Sequence, residues 1–205
     1  AHLLPVPMPG GEAAAREPAR MAESLLLACG LPIRDPHLRS VAESDRLSPW
    51  TSSAGRLIDG VSFLLGACGP VMTYEAEAAM LLESLADPGE DGAYTWIIDD
   101  GVVDLRPGLV EMLEDSAADA FRAARFHNTL ADAMAAAAVR EAKPRGLPVA
   151  LGGGCFANAL LLRRTLSRLE ESGVRALVGR RLPAGDGAVA AGQAACAAAR
   201  ANHDS

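Results

Sequence analysis

A helix-rich α/β fold is the class this sequence predicts, and three observations carry it. Two short apolar segments, 149–151 and 174–178, each run into a glycine-rich turn and then an Ala/Leu-rich helix. Ahead of them, apolar residues recur at helical spacing through several segments. Half of the 205 residues are hydrophobic but only 4% are aromatic, so Ala, Leu and Val must do the packing. Alanine favours helix because it loses no side-chain entropy there. The length suits one domain, or two lobes, with a sizeable core.

Taken in order, residues 1–15 are rich in Pro, Gly and Ala and read as an extended arm with a turn at Pro9-Gly10-Gly11. A first helix is expected over 17–29, with Pro18 in its first turn and Gly30 just past its end. Pro32, Pro36 and Pro49 punctuate 31–49, leaving one short helix between loops. The next helix opens after Thr51-Ser52-Ser53, puts Leu57, Val61, Leu64 and Leu65 on one stripe, and stops at Gly66 or Gly69. A third spans 74–85 with Ala78, Leu81, Leu82 and Leu85 inward. Segments 94–98 and 102–103 flank Asp99-Asp100-Gly101 and read as a hairpin. A short helix follows at 107–113, then a long one at 117–142, broken by Pro144. Residues 149–151 form a short buried strand, 158–171 a helix and 174–178 a second strand. The Asp186 turn leads to a closing helix reaching Arg200. This divides the chain into an arm with helices, 1–49, and a lobe, 50–205.

The net charge of −7, with one lysine (Lys143) among nineteen basic residues, argues against a nucleic-acid surface, which needs clustered Lys and Arg. Cys29, Cys68, Cys155 and Cys196 are dispersed, with no C-x-x-C pair, and are expected to behave as small buried hydrophobes in a reducing compartment. No signal peptide and no membrane span are evident, so a cytoplasmic location is expected, and the start without Met suggests a piece of a longer chain.

The chemistry concentrates at the two glycine-rich turns, Gly152-Gly153-Gly154-Cys155-Phe156-Ala157-Asn158 and Pro183-Ala184-Gly185-Asp186-Gly187-Ala188. Glycine lets backbone approach a ligand closely, and the helix N-terminus beyond offers free N–H groups to phosphate. Asn158 and Asp186 each sit where a helix begins, so each is either a cap or a contact to a nucleotide or a metal. A lone mid-helix histidine such as His127 is more often a packed or surface residue than a ligand. Ser53 suits a helix cap, and Arg56 stands three residues before Asp59, the spacing of a helix ion pair.

Six ordered pieces resemble the C-terminal part of the hydrogenase-maturation carbamoyltransferases of the HypF family. They are Gly10-Gly11-Glu12-Ala13-Ala14-Ala15-Arg16-Glu17-Pro18, then Thr51-Ser52-Ser53-Ala54-Gly55-Arg56-Leu57-Ile58-Asp59, and Thr73-Tyr74-Glu75-Ala76-Glu77-Ala78-Ala79. Arg125-Phe126-His127-Asn128-Thr129-Leu130-Ala131, Gly153-Gly154-Cys155-Phe156-Ala157-Asn158 and Leu182-Pro183-Ala184-Gly185-Asp186-Gly187 with Gly192-Gln193 complete them. The resemblance implies an incomplete C-terminal lobe of a Kae/TsaD-like fold of the actin, sugar-kinase and Hsp70 type. It implies that this lobe takes ATP-derived carbamoyl-adenylate and passes the carbamoyl group to the C-terminal cysteine of a HypE-type acceptor, where it becomes a cyanide ligand of a nickel–iron centre.

By the same resemblance, Asp59 meets the nucleotide ribose, Glu75 lies in the ribose-side loop, and Gly153, Gly154 and Asn158 bind nucleotide. Asp186 would hold a divalent metal, iron or zinc; Ser53, Arg56 and His127 are weaker candidates, and no catalytic residue is assigned. The sequence departs from the family pattern at Ala76 and Ala188 (usually Gly), Glu77 (usually Gln), Gly152 (usually Ser) and Gly185 (usually Asn). The family's upstream domains and His-rich metal motif do not occur in these residues, so this chain by itself is expected to be inactive and to need the N-terminal half. Alternatives are a truncated or degenerate nucleotide-binding module without catalysis, an O-carbamoyltransferase, and a tRNA threonylcarbamoyl-type transferase.

Overall fold

A computed structural model describes residues 1–179 and 182–203. Helix α1 (Pro18–Ala28) begins with a proline, whose missing N–H costs nothing in the first turn, and ends where Gly30 takes φ 70°. Its buried face, Met21, Ala22, Leu25 and Leu26, lies on α3 (Ala54–Leu64), which Ser53 caps by accepting the Arg56 N–H at 3.4 Å. Between them comes the short α2 (Pro36–Ala42). Leu57, Val61 and Leu65 are buried, as their stripe predicts, Leu64 is only half-buried, and Gly66 follows at φ 69°.

The arm is not free. Strand β1 (His2–Leu3) pairs parallel with β5 (Val102–Asp104), and β2 (Val6–Pro7) pairs antiparallel with β3 (Trp50–Thr51). Two-residue strands carry no periodicity, so only their distant partners reveal them. The hairpin of β4 (Ile97–Asp99) and β5 turns at Asp100 (φ 43°) and Gly101 (φ 80°), the two positive φ values a two-residue hairpin loop requires. Residues 94–96 are not strand. The Tyr94 N–H donates to Thr129 Oγ1 (2.8 Å) and its hydroxyl to Asp115 Oδ2 (2.7 Å), which spends them on helices instead of a ladder.

Helix α4 (Glu77–Leu85) starts three residues later than the pattern suggests, because Ala76 stands in the left-handed region at φ 63°. That conformation costs a non-glycine residue on the order of 1 kcal/mol. Ala76→Gly is therefore expected to raise stability by about 1 kcal/mol, read from the urea midpoint. A lower midpoint would show that the Ala76 methyl earns its place by contact.

Helix α5 (Arg106–Glu114) leads to α6 (Asp119–Ala142), the axis of the fold, whose alanines let α4 and α7 (Ala159–Glu171) approach closely. Leu130, Ala131, Leu82, Met112 and Leu161 are fully buried in this core. Strands β6 (Val149–Leu151) and β7 (Ala176–Val178) pair in parallel around α7. They are covered on one side only: Val149, Leu151 and Ala176 pack on Ala135, Ala142, Leu169 and Val174, while Ala150 and Leu177 face outward. Helix α8 (Val189–His203) closes the chain, exposed along its described side chains. No helix among the described residues is long and apolar enough to cross a membrane.

Candidate functional site

Parallel pairing of β6 with β7 delivers both glycine-rich turns to the same edge, where open α/β sheets place their ligands. There the turns meet. Gly153, at φ 103°, donates its N–H to Ala184 O at 2.7 Å, and a side chain on Gly185 would come within 3.7 Å of Gly154 Cα. Beyond Gly153 and Gly154 a Cβ would meet nothing within 4 Å, so the backbone there is bare to an approaching group. Asp186 is exposed at the head of the turn Asp186–Ala188. A cavity of about 420 Å³ lies elsewhere, between β1 and α6, lined by Leu3, Val103, Met134, Ala137 and Glu141 among others. The glycine turns form an open edge rather than an enclosed pocket.

Asn158 turns inward from this edge. As the cap of α7 its Oδ1 accepts the Leu161 N–H at 2.7 Å, and its Nδ2 lies 3.0 Å from His127 Nε2. His127, 0% exposed, places Nδ1 2.7 Å from Ala123 O. Burial lowers the His127 pKa, which disfavours the imidazolium. The neighbouring amide of α7, Leu160 N–H, donates to Glu83 Oε1 of α4 at 3.0 Å. Two of the first amides of α7 are thus consumed inside the chain, so a phosphate would meet the glycine turn and not this helix end. Glu83 escaped the sequence reading because its partner stands 77 positions away and no local pattern marks it.

Asp59 is 1% exposed on α3. The ion pair its spacing suggests is present, with Arg56 Nη2 2.9 Å from Asp59 Oδ2, but the contact lacks hydrogen-bond geometry and leaves Oδ2 without a hydrogen-bond partner. Arg56 spends Nη1 on Ala15 O at 2.7 Å. Burial pushes the Asp59 carboxyl up to about 6, with Arg56 pulling the other way. Helix α3 touches the turn Gly154–Ala157, so Asp59 and Ser53 share a helix that abuts the glycine edge. Glu75 is exposed in the loop before α4. Among the described residues no hydrogen bond or ion pair joins Asp59 or Glu75 to the glycine turns. The structure therefore gathers Gly153, Gly154 and the Asp186 turn, seats Asn158 and His127 beneath them, and leaves Glu75 apart.

The residues do not form a complete metal site. Among those described, no group of three or more His, Cys, Asp or Glu could hold an ion, and Asp186 offers one carboxylate. The cysteines are free; Cys29, Cys68 and Cys155 are half-buried, whereas Cys196 on α8 is exposed, against expectation.

An α/β lobe with paired glycine turns at its strand ends is the second subdomain of a carbamoyltransferase Kae1-like domain, whose family model matches residues 1–193. A Carbamoyltransferase HypF homolog of Cupriavidus necator is 40% identical over 96% of this chain, and Carbamoyltransferase HypF of Rhizobium leguminosarum bv. viciae 37% over 95%. A crystal structure of full-length HypF in the phosphate- and nucleotide-bound form superposes with TM-score 0.80, at 28% identity, over 91% of this chain and 27% of that one. The chain belongs to the HypF carbamoyltransferase family. It spans 56% and 27% of the length of the two relatives named.

Proposed function

We propose that this chain is the nucleotide-holding C-terminal lobe of a HypF-type carbamoyltransferase, acting on carbamoyl-adenylate with a HypE-type protein as acceptor. The meeting of the two glycine turns, through the Gly153 N–H and Ala184 O, is the observation that carries this reading. A relative solved with phosphate and nucleotide bound supports it. In this reading the bare Gly153–Gly154 backbone receives the adenylate phosphate, and Asp59 Oδ2, ion-paired with Arg56 but without a hydrogen-bond partner, is the acceptor for the ribose hydroxyls. Glu75 borders the ribose side. Asp186 would supply one carboxylate to a divalent cation, and no group of three or more ligands forms around it among the described residues.

The acceptor's cysteine sulfur attacks the carbamoyl carbon, the C–O bond to the adenylate phosphate breaks, AMP leaves with the electron pair, and the thiol proton passes to solvent. Loss of water from the carbamoylated cysteine, –S–C(=O)NH2 to –S–C≡N, is the next step towards a cyanide ligand and is not a step of this lobe. In this reading the groups that complete the site belong to the length of the relatives that this chain does not span, so this lobe is expected to transfer no carbamoyl group by itself.

Titration of the chain with ATP, followed by amide chemical shifts, is expected to move residues 152–158 and 184–188 first. Gly154→Val places its Cβ where no protein atom lies within 4 Å, so it should weaken ATP at least about tenfold while the melting temperature holds. Shifts confined elsewhere, or unchanged affinity in that variant, would overturn the reading.

A further inference from the structure

We propose that His127 is the positioning residue of this site: through the Asn158 carboxamide it sets how the glycine turn joins α7. The inference rests on the nucleotide reading above for its consequence, though not for its geometry. Each bond in the relay dictates the next. Ala123 O can only accept, so His127 Nδ1, 2.7 Å away, carries the proton. In a neutral ring Nε2 is then an acceptor, and the Asn158 atom 3.0 Å from it must be the amide nitrogen. That orientation leaves Oδ1 for the Leu161 N–H, where it stands at 2.7 Å.

A helix cap needs only the Asn158 oxygen. Its buried NH2 needs an acceptor too, and an apolar residue at 127 would leave it unsatisfied. The charged groups facing the ring are Glu83 from α4 and Arg164 from α7, which oppose one another, while burial disfavours the imidazolium. A protonated ring would turn an N–H against the Asn158 N–H and break the relay at its centre. His127 thus ties α6 to the first turn of α7, one residue beyond the segment Gly154–Ala157, and so holds the edge at which the nucleotide is read.

The test compares the chain with His127→Gln, whose Oε1 can stand in for the Nε2 acceptor, and His127→Leu, which fills the space without one. Long-range ¹H–¹⁵N spectra should show the Nδ1–H tautomer, and the Asn158 carboxamide protons should exchange about tenfold faster in His127→Leu while His127→Gln restores them. ATP affinity should fall about tenfold in His127→Leu and by less than threefold in His127→Gln, with no further loss from His127→Leu when Asn158 is already alanine. An Nε2–H tautomer, or Asn158 exchange unchanged in His127→Leu, overturns the relay without any nucleotide present. Loss of melting temperature with unchanged ATP affinity in His127→Leu reduces His127 to a structural residue and overturns the positioning role. Failure of Gly154→Val to weaken ATP strikes the nucleotide reading alone, leaving the tautomer and exchange to decide the relay.

Discussion

Gly60→Val is expected to destabilise the chain by about 3 kcal/mol or more, the largest effect of any single substitution considered for this fold. A Cβ at Gly60 would stand 2.7 Å from Leu25 Cδ1, 3.0 Å from the Met21 carbonyl carbon and 3.1 Å from the Ala22 nitrogen. Leu25 can rotate away, but the α1 backbone cannot, so the two helices must separate. The cost reaches the site as well as the core, since α3 carries Ser53, Arg56 and Asp59 and touches the segment Gly154–Ala157. Gly192, inside the exposed α8, is the control: nothing lies within 4 Å of its Cβ direction. Gly192→Ala should stabilise by up to about 1 kcal/mol through helix propensity. Urea midpoints of the two variants are expected to move in opposite directions, and movement in the same direction would remove the close α1–α3 approach as the explanation.

Asp59→Asn carries the second large effect, and it depends on pH. The folded carboxyl sits at about 6 against an ordinary 3.8, so the folded state holds this proton more tightly than the unfolded chain does. Stability from this group is fully present below about 3.8, is lost as pH rises towards 6, and stays lost above it. The difference is worth on the order of 3 kcal/mol at neutral pH. Asparagine keeps the shape and removes the charge. Asp59→Asn should therefore be more stable than the parent at pH 7, by up to about 3 kcal/mol less whatever Arg56 loses, and close to it at pH 4. Denaturation curves at the two pH values measure this directly; a gap that does not change with pH would rule out a buried, proton-holding Asp59. A chain that retains a buried carboxylate against its own stability fits a residue kept for a ligand.

The helices were legible where several local signals agree. Pro18 at the start and Gly30 past the end bracket α1, and the Leu57, Val61, Leu65 stripe marks the buried face of α3. The Asp100-Gly101 turn announced its hairpin for the same reason: the required positive φ is written in the residue types. Tyr94, Thr95 and Trp96 misled because β-prone side chains look alike whether their N–H groups join a ladder or, as with Tyr94 and Thr95, end on Thr129 and Glu111. At Asn158 the cap was readable, but the His127 acceptor behind it, 31 positions away, was not.

The sequence by itself determined the helix-rich α/β class, the helix caps and the two glycine turns, because those depend on backbone preference and periodicity within a few residues, and the resemblance of its six ordered pieces pointed to the family. Only the tertiary structure decided that β1 adds to β5, that Gly153 bonds Ala184, that Glu83 closes the first turn of α7, and that Asp59 is buried instead of exposed. Each of these is a contact between distant segments. Its free energy comes from burial and from satisfying a polar group that local sequence leaves open, and several partners of the same type compete for it until the chain is packed.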